Sequence, residues 1–141
     1  MIVVVAYAPT PEGEAALAAA AEEAERRSAR LHIVRAVRIG STENTSAARE
    51  KARDVGAERT TLDALASRTA VRGIEVSAEI TVVDRPNTVA DTVLAVVERQ
   101  GAELLVVGIR RRSPVGKAVL GSDAQDMLLQ AECPVLAIKA D

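Results

Sequence analysis

Short apolar runs rich in β-branched residues alternate with longer amphipathic segments along this chain of 141 residues. The short runs suit strands that are covered on both faces, and the longer segments carry apolar residues at helical spacing. Five strands are predicted, at residues 2–6, 31–37, 74–83, 104–107 and 134–138. A helix separates each strand from the next, so the connections are right-handed crossovers. The sequence therefore predicts an α/β fold with a five-stranded parallel sheet and helices on both faces.

Capping residues and glycines predict where the helices begin and end. A hydroxyl or amide side chain suits the N-cap, proline suits the first helical position, and glycine suits the end of a helix. The predicted starts are Thr10-Pro11 and Asn87 or Thr88, and the predicted ends are Gly73 and Gly101. A last short helix is expected from Ser122. In such folds ligands bind beyond the carboxyl ends of the strands, so the search for function narrows to the loops at those ends.

The charge and the aromatic content argue against nucleic acid as a partner. The formal net charge is −2 at pH 7 with 27% charged residues, which gives no broad basic field. Tyr7 is the only aromatic residue, since the chain has no Phe and no Trp. Stacking platforms for single strands need aromatic rings that this chain lacks. We expect no binding to DNA or RNA.

The cysteine content and the hydropathy predict a cytoplasmic protein. Cys133 is the only cysteine, so no disulfide can form within the chain. No apolar run approaches the roughly 20 residues that a bilayer-spanning helix needs, so we expect no membrane insertion. The length suits one domain with its own core. A reducing cytoplasm is therefore the expected location.

The loop from Val107 to Ser122 carries the strongest sign of chemistry. Gly108 follows the fourth strand and Gly121-Ser122 precedes the last helix. Glycines let backbone N–H groups approach an anion closely, a helix N-terminus adds unpaired donors, and the Ser122 hydroxyl can donate or cap. Four cations lie between these points: Arg110, Arg111, Arg112 and Lys117. The pattern suits an anion site, and a strand end, a helix cap and a solvated turn explain the same residues equally well.

Two nucleotide-binding motifs do not fit this loop or the first turn. Gly116-Lys117 is followed by Ala118 where a Walker loop needs Ser or Thr, and Arg111 stands where its first glycine belongs. A dinucleotide fingerprint is absent after the first strand, where the turn is Ala8-Pro9-Thr10. Neither a P-loop nor a dinucleotide site is expected.

Other chemically active residue types have simpler explanations. His32 lies within a predicted strand, and the sequence places no nucleophile or carboxylate partner near it, so we expect a structural or edge position. Cys133 precedes a strand and is expected to be a packed residue rather than a reactive thiol. Asp84 fits a turn. No metal site is expected.

Four segments together resemble the universal stress protein family. They are the opening strand with its small turn and amphipathic helix, the GAELLVVG strand, the Gly-Ser of the last helix, and the closing ECPVLAIK. The resemblance spans essentially the whole chain and is most specific in its C-terminal third. It implies a Rossmann-like three-layer sandwich of the adenine nucleotide alpha hydrolase-like type, with residues 1–141 as one universal stress protein domain.

ATP-binding members of that family carry a glycine, two residues, a second glycine, nine residues, and then Gly-Ser or Gly-Thr. Gly108 and Gly121-Ser122 match in register, whereas Arg111 stands at the second glycine and Ala8 replaces the aspartate common in the first loop. Asp123 competes with a phosphate for the dipole of the last helix. The resemblance implies a nucleotide site at Ala6, Tyr7, Ala8, Ala36, Val107, Gly108, Arg110, Arg111, Gly121, Ser122 and Asp123, with Ala36 against the adenine.

The resemblance implies a stress-response protein that binds ATP or a related adenine nucleotide as a regulatory dimer. The last strand, from Val135 to Ile138, is expected at a sheet edge, where a second copy would cover it. The loop offers no general base or metal-holding carboxylate, so at most slow ATP hydrolysis is expected. Two alternatives stay open: a nucleotide-independent dimeric interaction protein whose arginine loop fills or replaces the phosphate site, and an enzyme acting on another phosphorylated metabolite.

Overall fold

Five parallel strands form one sheet, with helices on both faces. The computed structural model describes residues 1–38, 45–110 and 120–140. The elements are β1 (Ile2–Ala6), α1 (Pro11–Arg27), β2 (Arg30–Arg38), α2 (Thr45–Ala70), β3 (Val76–Val83), α3 (Val89–Gln100), β4 (Leu104–Arg110), α4 (Ser122–Gln130) and β5 (Val135–Ala140). The strand order is β3-β2-β1-β4-β5, which confirms the predicted α/β sheet. The order reverses between β1 and β4, and this is the point where such sheets bind ligands.

Alternation along β1 divides the core into two layers. Val3 and Val5 pack into a cluster with α1 and α2, whereas Val4 packs into a second cluster with α3 and α4. All three side chains are fully buried. Successive residues of a strand point to opposite faces, so an uninterrupted apolar run is what a sheet covered on both faces requires.

The predicted helix starts agree with the structure. The Thr10 hydroxyl accepts a hydrogen bond from the Gly13 N–H at 3.0 Å, and Pro11 is the first helical residue. Thr88, rather than Asn87, is the N-cap of α3, where it forms a capping box with Asp91. Both caps satisfy N–H groups that the helices cannot pair themselves.

Four of the five strands differ from the sequence prediction at one or both ends. The fourth strand continues beyond Val107 to Arg110, because β5 pairs with it along the whole extension, including Gly108 with Ile138. The third strand begins at Val76 rather than at residue 74. β5 lies at a sheet edge, as predicted. Within the described residues, no helix is long and apolar enough to cross a membrane.

Candidate functional site

A crevice of about 350 Å³ lies at the carboxyl ends of β1 and β4, where the strand order reverses. We call it the switch-point crevice. Residues from β1, β2, β4, α1, α3 and α4 line it: Ala6, Tyr7, Ala8, Thr10, Glu12, Gly13, Val34, Arg35, Ala36, Val89, Val93, Val107, Gly108, Asp123, Ala124 and Met127. The wall combines small apolar side chains with a few polar groups, which is typical of a small-molecule site.

The first turn of α1 packs directly against the strand ends. A Cβ added to Gly13 would overlap the carbonyl oxygen of Ala8, and one added to Gly108 would overlap the carbonyl oxygen of Glu12. Backbone therefore meets backbone at both positions. Gly108 does not simply end a strand, because it lies within β4 and lets α1 approach the sheet.

The start of α4 is open by contrast. Gly121 is the N-cap, with φ −62° and ψ 155°, and a Cβ added there would meet no atom of the described residues within 4 Å. Ser122 is the first helical residue, so it is not the helix cap that the sequence offered as one explanation. Both residues are exposed. The part of the chain that the structure describes gives no steric reason for a glycine at 121.

Asp123 links the two helices beside the crevice. Its Oδ1 accepts a hydrogen bond from the Ala90 N–H, at 3.3 Å, in the first turn of α3. The carboxylate thus lies at the positive ends of both α4, to which it belongs, and α3. A phosphate placed here would meet this negative charge.

Arg35 is a crevice residue that the sequence analysis missed. Its Nε donates to Glu58 Oε2 at 2.9 Å, its Nη2 to Glu58 Oε1 at 3.3 Å, and its Nη1 to the Ala36 carbonyl at 3.0 Å. This fork holds the guanidinium at the crevice wall beside Ala36. The signal available in the sequence was a cation beside Ala36 in the carboxyl-terminal half of a predicted strand.

Tyr7 has its hydroxyl fixed inside the site. The hydroxyl donates to Glu14 Oε1 at 2.6 Å. Burial, reinforced by the hydrogen bond to Glu14, raises the pKa of Tyr7 to about 12. Tyr7 is therefore neutral near pH 7 and contributes shape and a polar contact rather than a charge.

The structure brings together part of the predicted site. Seven predicted residues line the crevice: Ala6, Tyr7, Ala8, Ala36, Val107, Gly108 and Asp123. Three do not: Arg110, Gly121 and Ser122, although Gly121 and Ser122 immediately precede Asp123. Arg111 lies outside the described residues, as do Arg112 and Lys117.

His32 has a hydroxyl and a carboxylate partner that the sequence analysis did not place near it. Its ring nitrogens lie 2.7 Å from Ser77 Oγ and 2.7 Å from Glu79 Oε1. Both partners belong to the adjacent strand β3, and the register pairs His32 with Ser77. A comparison of side chains across two predicted neighbouring strands could have found them.

The remaining predictions concern Cys133 and metals. Cys133 is partly buried against the α3–α4 core, and burial raises the pKa of its thiol, as expected of a packed residue. Within the described ranges, no group of His, Cys, Asp and Glu is arranged to hold a metal ion.

A larger cavity, of about 420 Å³, lies between α3 and the segment that joins α4 to β5. Its wall reaches Gly101, Glu132 and Cys133, which lie at the amino ends of β4 and β5. By size alone, this cavity would be the preferred ligand site. By position, the switch-point crevice is preferred, because ligands of open parallel sheets bind at the carboxyl ends of the strands.

Comparison with known proteins gives one consistent result. Residues 1–139 match the universal stress protein family. A universal stress protein of Mycolicibacterium smegmatis is 35% identical over 140 residues, which cover 98% of this chain and 97% of the relative.

Solved structures agree with that match. A universal stress protein from Archaeoglobus fulgidus is 30% identical, with a TM-score of 0.75, over 98% of this chain and 97% of the other. A second protein of that family from the same organism, solved in complex with dAMP, is 25% identical, with a TM-score of 0.69, over 98% and 96%.

Proposed function

Because the chain belongs to the universal stress protein family, we propose that its switch-point crevice binds an adenine nucleotide, ATP in particular. The observation that carries the proposal is the crevice itself, which lies at the ligand-binding point of the sheet and is lined by Ala6, Ala8 and Ala36. Small side chains leave room for a planar base. The complex of a relative with dAMP supports the same ligand class.

The base and the phosphates would occupy different parts of the site. The base lies against Ala36 and the end of β1, and the phosphates lie at the N-terminus of α4, where Gly121 and Ser122 present backbone N–H groups. Arg110, the last residue of β4, and Arg111, which follows it in the sequence, would supply positive charge. These cations offset Asp123, the acidic residue closest to the phosphates in this arrangement.

The nucleotide would serve as a regulatory ligand rather than as a rapidly consumed substrate. Tyr7 is neutral and its hydroxyl already donates a hydrogen bond to Glu14, so it is not a general base near pH 7. Fast phosphoryl transfer needs positioned metal ions and a group that orients the attacking water. We propose hydrolysis that is slow at most.

The assembly we propose is a cytoplasmic homodimer of one domain, residues 1–141, joined through β5. β5 is a sheet edge, and Pro134 O already pairs with the Leu105 N–H on the β4 side. Because the backbone groups of successive residues in a parallel strand point to opposite sides, the Ala137 N–H points away from β4 and is available to a second copy. Ala137→Pro removes that donor without touching the β4 ladder, so light scattering should report a monomer. A dimer that persists in this variant contradicts the proposed interface.

Isothermal titration calorimetry with ATP, ADP and AMP tests the nucleotide proposal. The parent chain should bind at least one of them with a stoichiometry of one per chain. Ala36→Leu fills the crevice and should abolish binding, whereas Ala64→Leu, at an exposed position of α2, should leave it unchanged. No heat at millimolar nucleotide would contradict the proposal and favour the nucleotide-independent interaction protein.

The Arg111→Gly variant tests how the unusual motif position acts. If the Arg111 side chain pairs with phosphate, the variant should bind more weakly than the parent. If the side chain instead blocks backbone approach, the variant should bind more tightly. If the Arg111 side chain neither pairs with phosphate nor blocks the backbone, the variant should bind as tightly as the parent.

A further inference from the structure

A second polar cluster lies away from the crevice, where β2, β3 and α3 meet. His32 projects from β2, Ser77 and Glu79 project from β3, and Arg99 reaches over from the last turn of α3. His32 is only 5% exposed, whereas Ser77 is exposed on the edge strand of the sheet. The cluster therefore joins a buried imidazole to a hydroxyl that solvent can reach.

When the imidazole is neutral, only one assignment of donors and acceptors satisfies the hydrogen bonds of this cluster. The Glu79 carboxylate can only accept, so the proton of the ring lies on Nε2 and is donated to Glu79 Oε1 at 2.7 Å. Nδ1 is then the acceptor, and the Ser77 hydroxyl donates to it at 2.7 Å. Arg99 Nη2 donates to the same Glu79 oxygen. Serine, histidine and carboxylate thus form a continuous relay, which is the arrangement that activates serine nucleophiles.

A hydrogen-bond donor for a developing oxyanion lies next to Ser77. The Leu31 N–H donates to the Glu75 carbonyl. Along a parallel strand, the backbone N–H and C=O groups of successive residues point to opposite sides. Those of Glu75, Ser77 and Glu79 therefore point toward β2, and those of Ala78 point toward the outer edge. The Ala78 carbonyl does face outward, where Arg59 Nη1 donates to it at 3.4 Å. Its N–H points to the same side, where no described strand pairs with it. The N–H of the residue after the nucleophile is also a donor in α/β hydrolases.

We propose that Ser77 is the nucleophile of an acyl-transfer site that hydrolyses small activated esters. Ser77 Oγ attacks the ester carbonyl carbon while its proton passes to His32 Nδ1. The Ala78 N–H holds the carbonyl oxygen as it becomes negative. His32 then gives the proton to the leaving oxygen as the carbon–oxygen bond breaks, which leaves an acyl-serine. Water then attacks the acyl carbon and loses a proton to His32, which passes it to Ser77 Oγ as the acyl carbon–oxygen bond breaks, so the carboxylic acid and free Ser77 are released.

The exposure of Ser77 limits the class of ester that the site can take. Ser77 is exposed on the edge strand, so an ester reaches it from solvent. A cavity of about 360 Å³ lies further along β3, beside α3, with Thr81, Val96 and Arg99 in its wall, but its wall does not include Ser77 or Glu79. An open site of this kind suits small activated esters that need little binding, such as p-nitrophenyl acetate.

Labelling with a fluorophosphonate tests whether Ser77 is nucleophilic. The parent chain should gain one adduct by intact-mass spectrometry, and peptide mapping should place the adduct on Ser77. Ser77→Ala should lose the adduct, whereas Ser67→Ala, which removes an exposed serine of α2, should keep it. The Ser77 and Ser67 variants should show the same contrast in the release of p-nitrophenol from p-nitrophenyl acetate. An adduct spread over several serines, or none on Ser77, would overturn the proposal.

Two further variants separate catalysis from a purely structural network. Glu79→Gln removes the charge that stabilises the imidazolium, and labelling of Ser77 should slow by about tenfold or more. Arg99→Gln removes a cation that partly offsets the charge of Glu79, and its side chain is 59% exposed, so the fold should survive and labelling should be at least as fast as in the parent. If Glu79→Gln folds, by thermal melting, and labels at the parent rate, the relay does not activate Ser77 and the proposal fails.

Discussion

The two sides of the switch-point crevice are built differently. On the β1–α1 side, Gly13 and Gly108 bring backbone against backbone, and neither position has room for a Cβ. On the α4 side, a Cβ at Gly121 would meet none of the described residues within 4 Å, and Asp123 accepts a hydrogen bond from the Ala90 N–H at 3.3 Å. The difference teaches that a glycine motif can serve two purposes at once. Gly108 is required by the fold, whereas the described residues impose no steric need for a glycine at 121, which leaves it available to a ligand.

The largest expected effect on stability comes from a variant on the β1–α1 side of the crevice, where backbone packs against backbone. Gly108→Ala forces a methyl group into the Glu12 carbonyl and should lower the free energy of unfolding by about 1–3 kcal/mol. Denaturant unfolding followed by far-ultraviolet circular dichroism measures this change. A variant as stable as the parent would mean that α1 shifts freely, which contradicts the tight contact.

Asp123 offers the next largest effect. Asp123→Ala removes the acceptor for the Ala90 N–H and should cost about 1 kcal/mol of unfolding free energy. Asp123→Asn is the matched control, because it keeps an acceptor oxygen and removes the charge. If the carboxylate repels phosphate, Asp123→Asn should also bind ATP more tightly in a calorimetric titration. Weaker ATP binding in Asp123→Asn would reverse the electrostatic interpretation.

Gly121→Ala sharpens the contrast with Gly108. The new Cβ meets open space and the φ of −62° suits any residue, so we expect unfolding free energy within about 0.5 kcal/mol of the parent. ATP affinity should nevertheless fall, because the methyl group blocks close approach of phosphate to the backbone. Affinity equal to that of the parent would remove Gly121 from the phosphate site.

The smallest effect on stability at neutral pH belongs to the Tyr7 hydroxyl. The folded chain should titrate with a pKa of about 12, against an ordinary value of 10.0. A raised pKa stabilises the fold fully below pH 10, and the contribution is lost as the pH rises from about 10 toward 12. Tyr7 is the only aromatic residue, so the absorbance change of phenolate formation reports it alone. Glu14→Gln should lower the midpoint, and an unchanged midpoint would contradict the role of that carboxylate.

The sequence predicted the architecture because its signals were local. Uninterrupted β-branched runs identify buried strands, and Thr10 with Pro11 identifies a helix start. The end of β4 was missed because glycine normally ends a strand, whereas here Gly108 pairs with Ile138 and permits the approach of α1. Pairing across strands overrode the local signal.

The site was predicted only where it follows the strand ends. Ala8, Ala36 and Gly108 could be placed in the crevice because the predicted strands ended beside them. Arg35 could not, since its position depends on Glu58 in α2, and the partners of His32 would have needed a comparison across two strands. Contacts between residues far apart in sequence require the three-dimensional fold.

An amide titration by ¹H–¹⁵N correlation NMR tests the nucleotide site most directly. On addition of ATP, the account predicts the largest shift changes at Ala8, Ala36 and Gly121, with little change at Ala78 on the sheet edge. Unchanged spectra at millimolar ATP, or changes confined to the larger cavity beside Cys133, would contradict it.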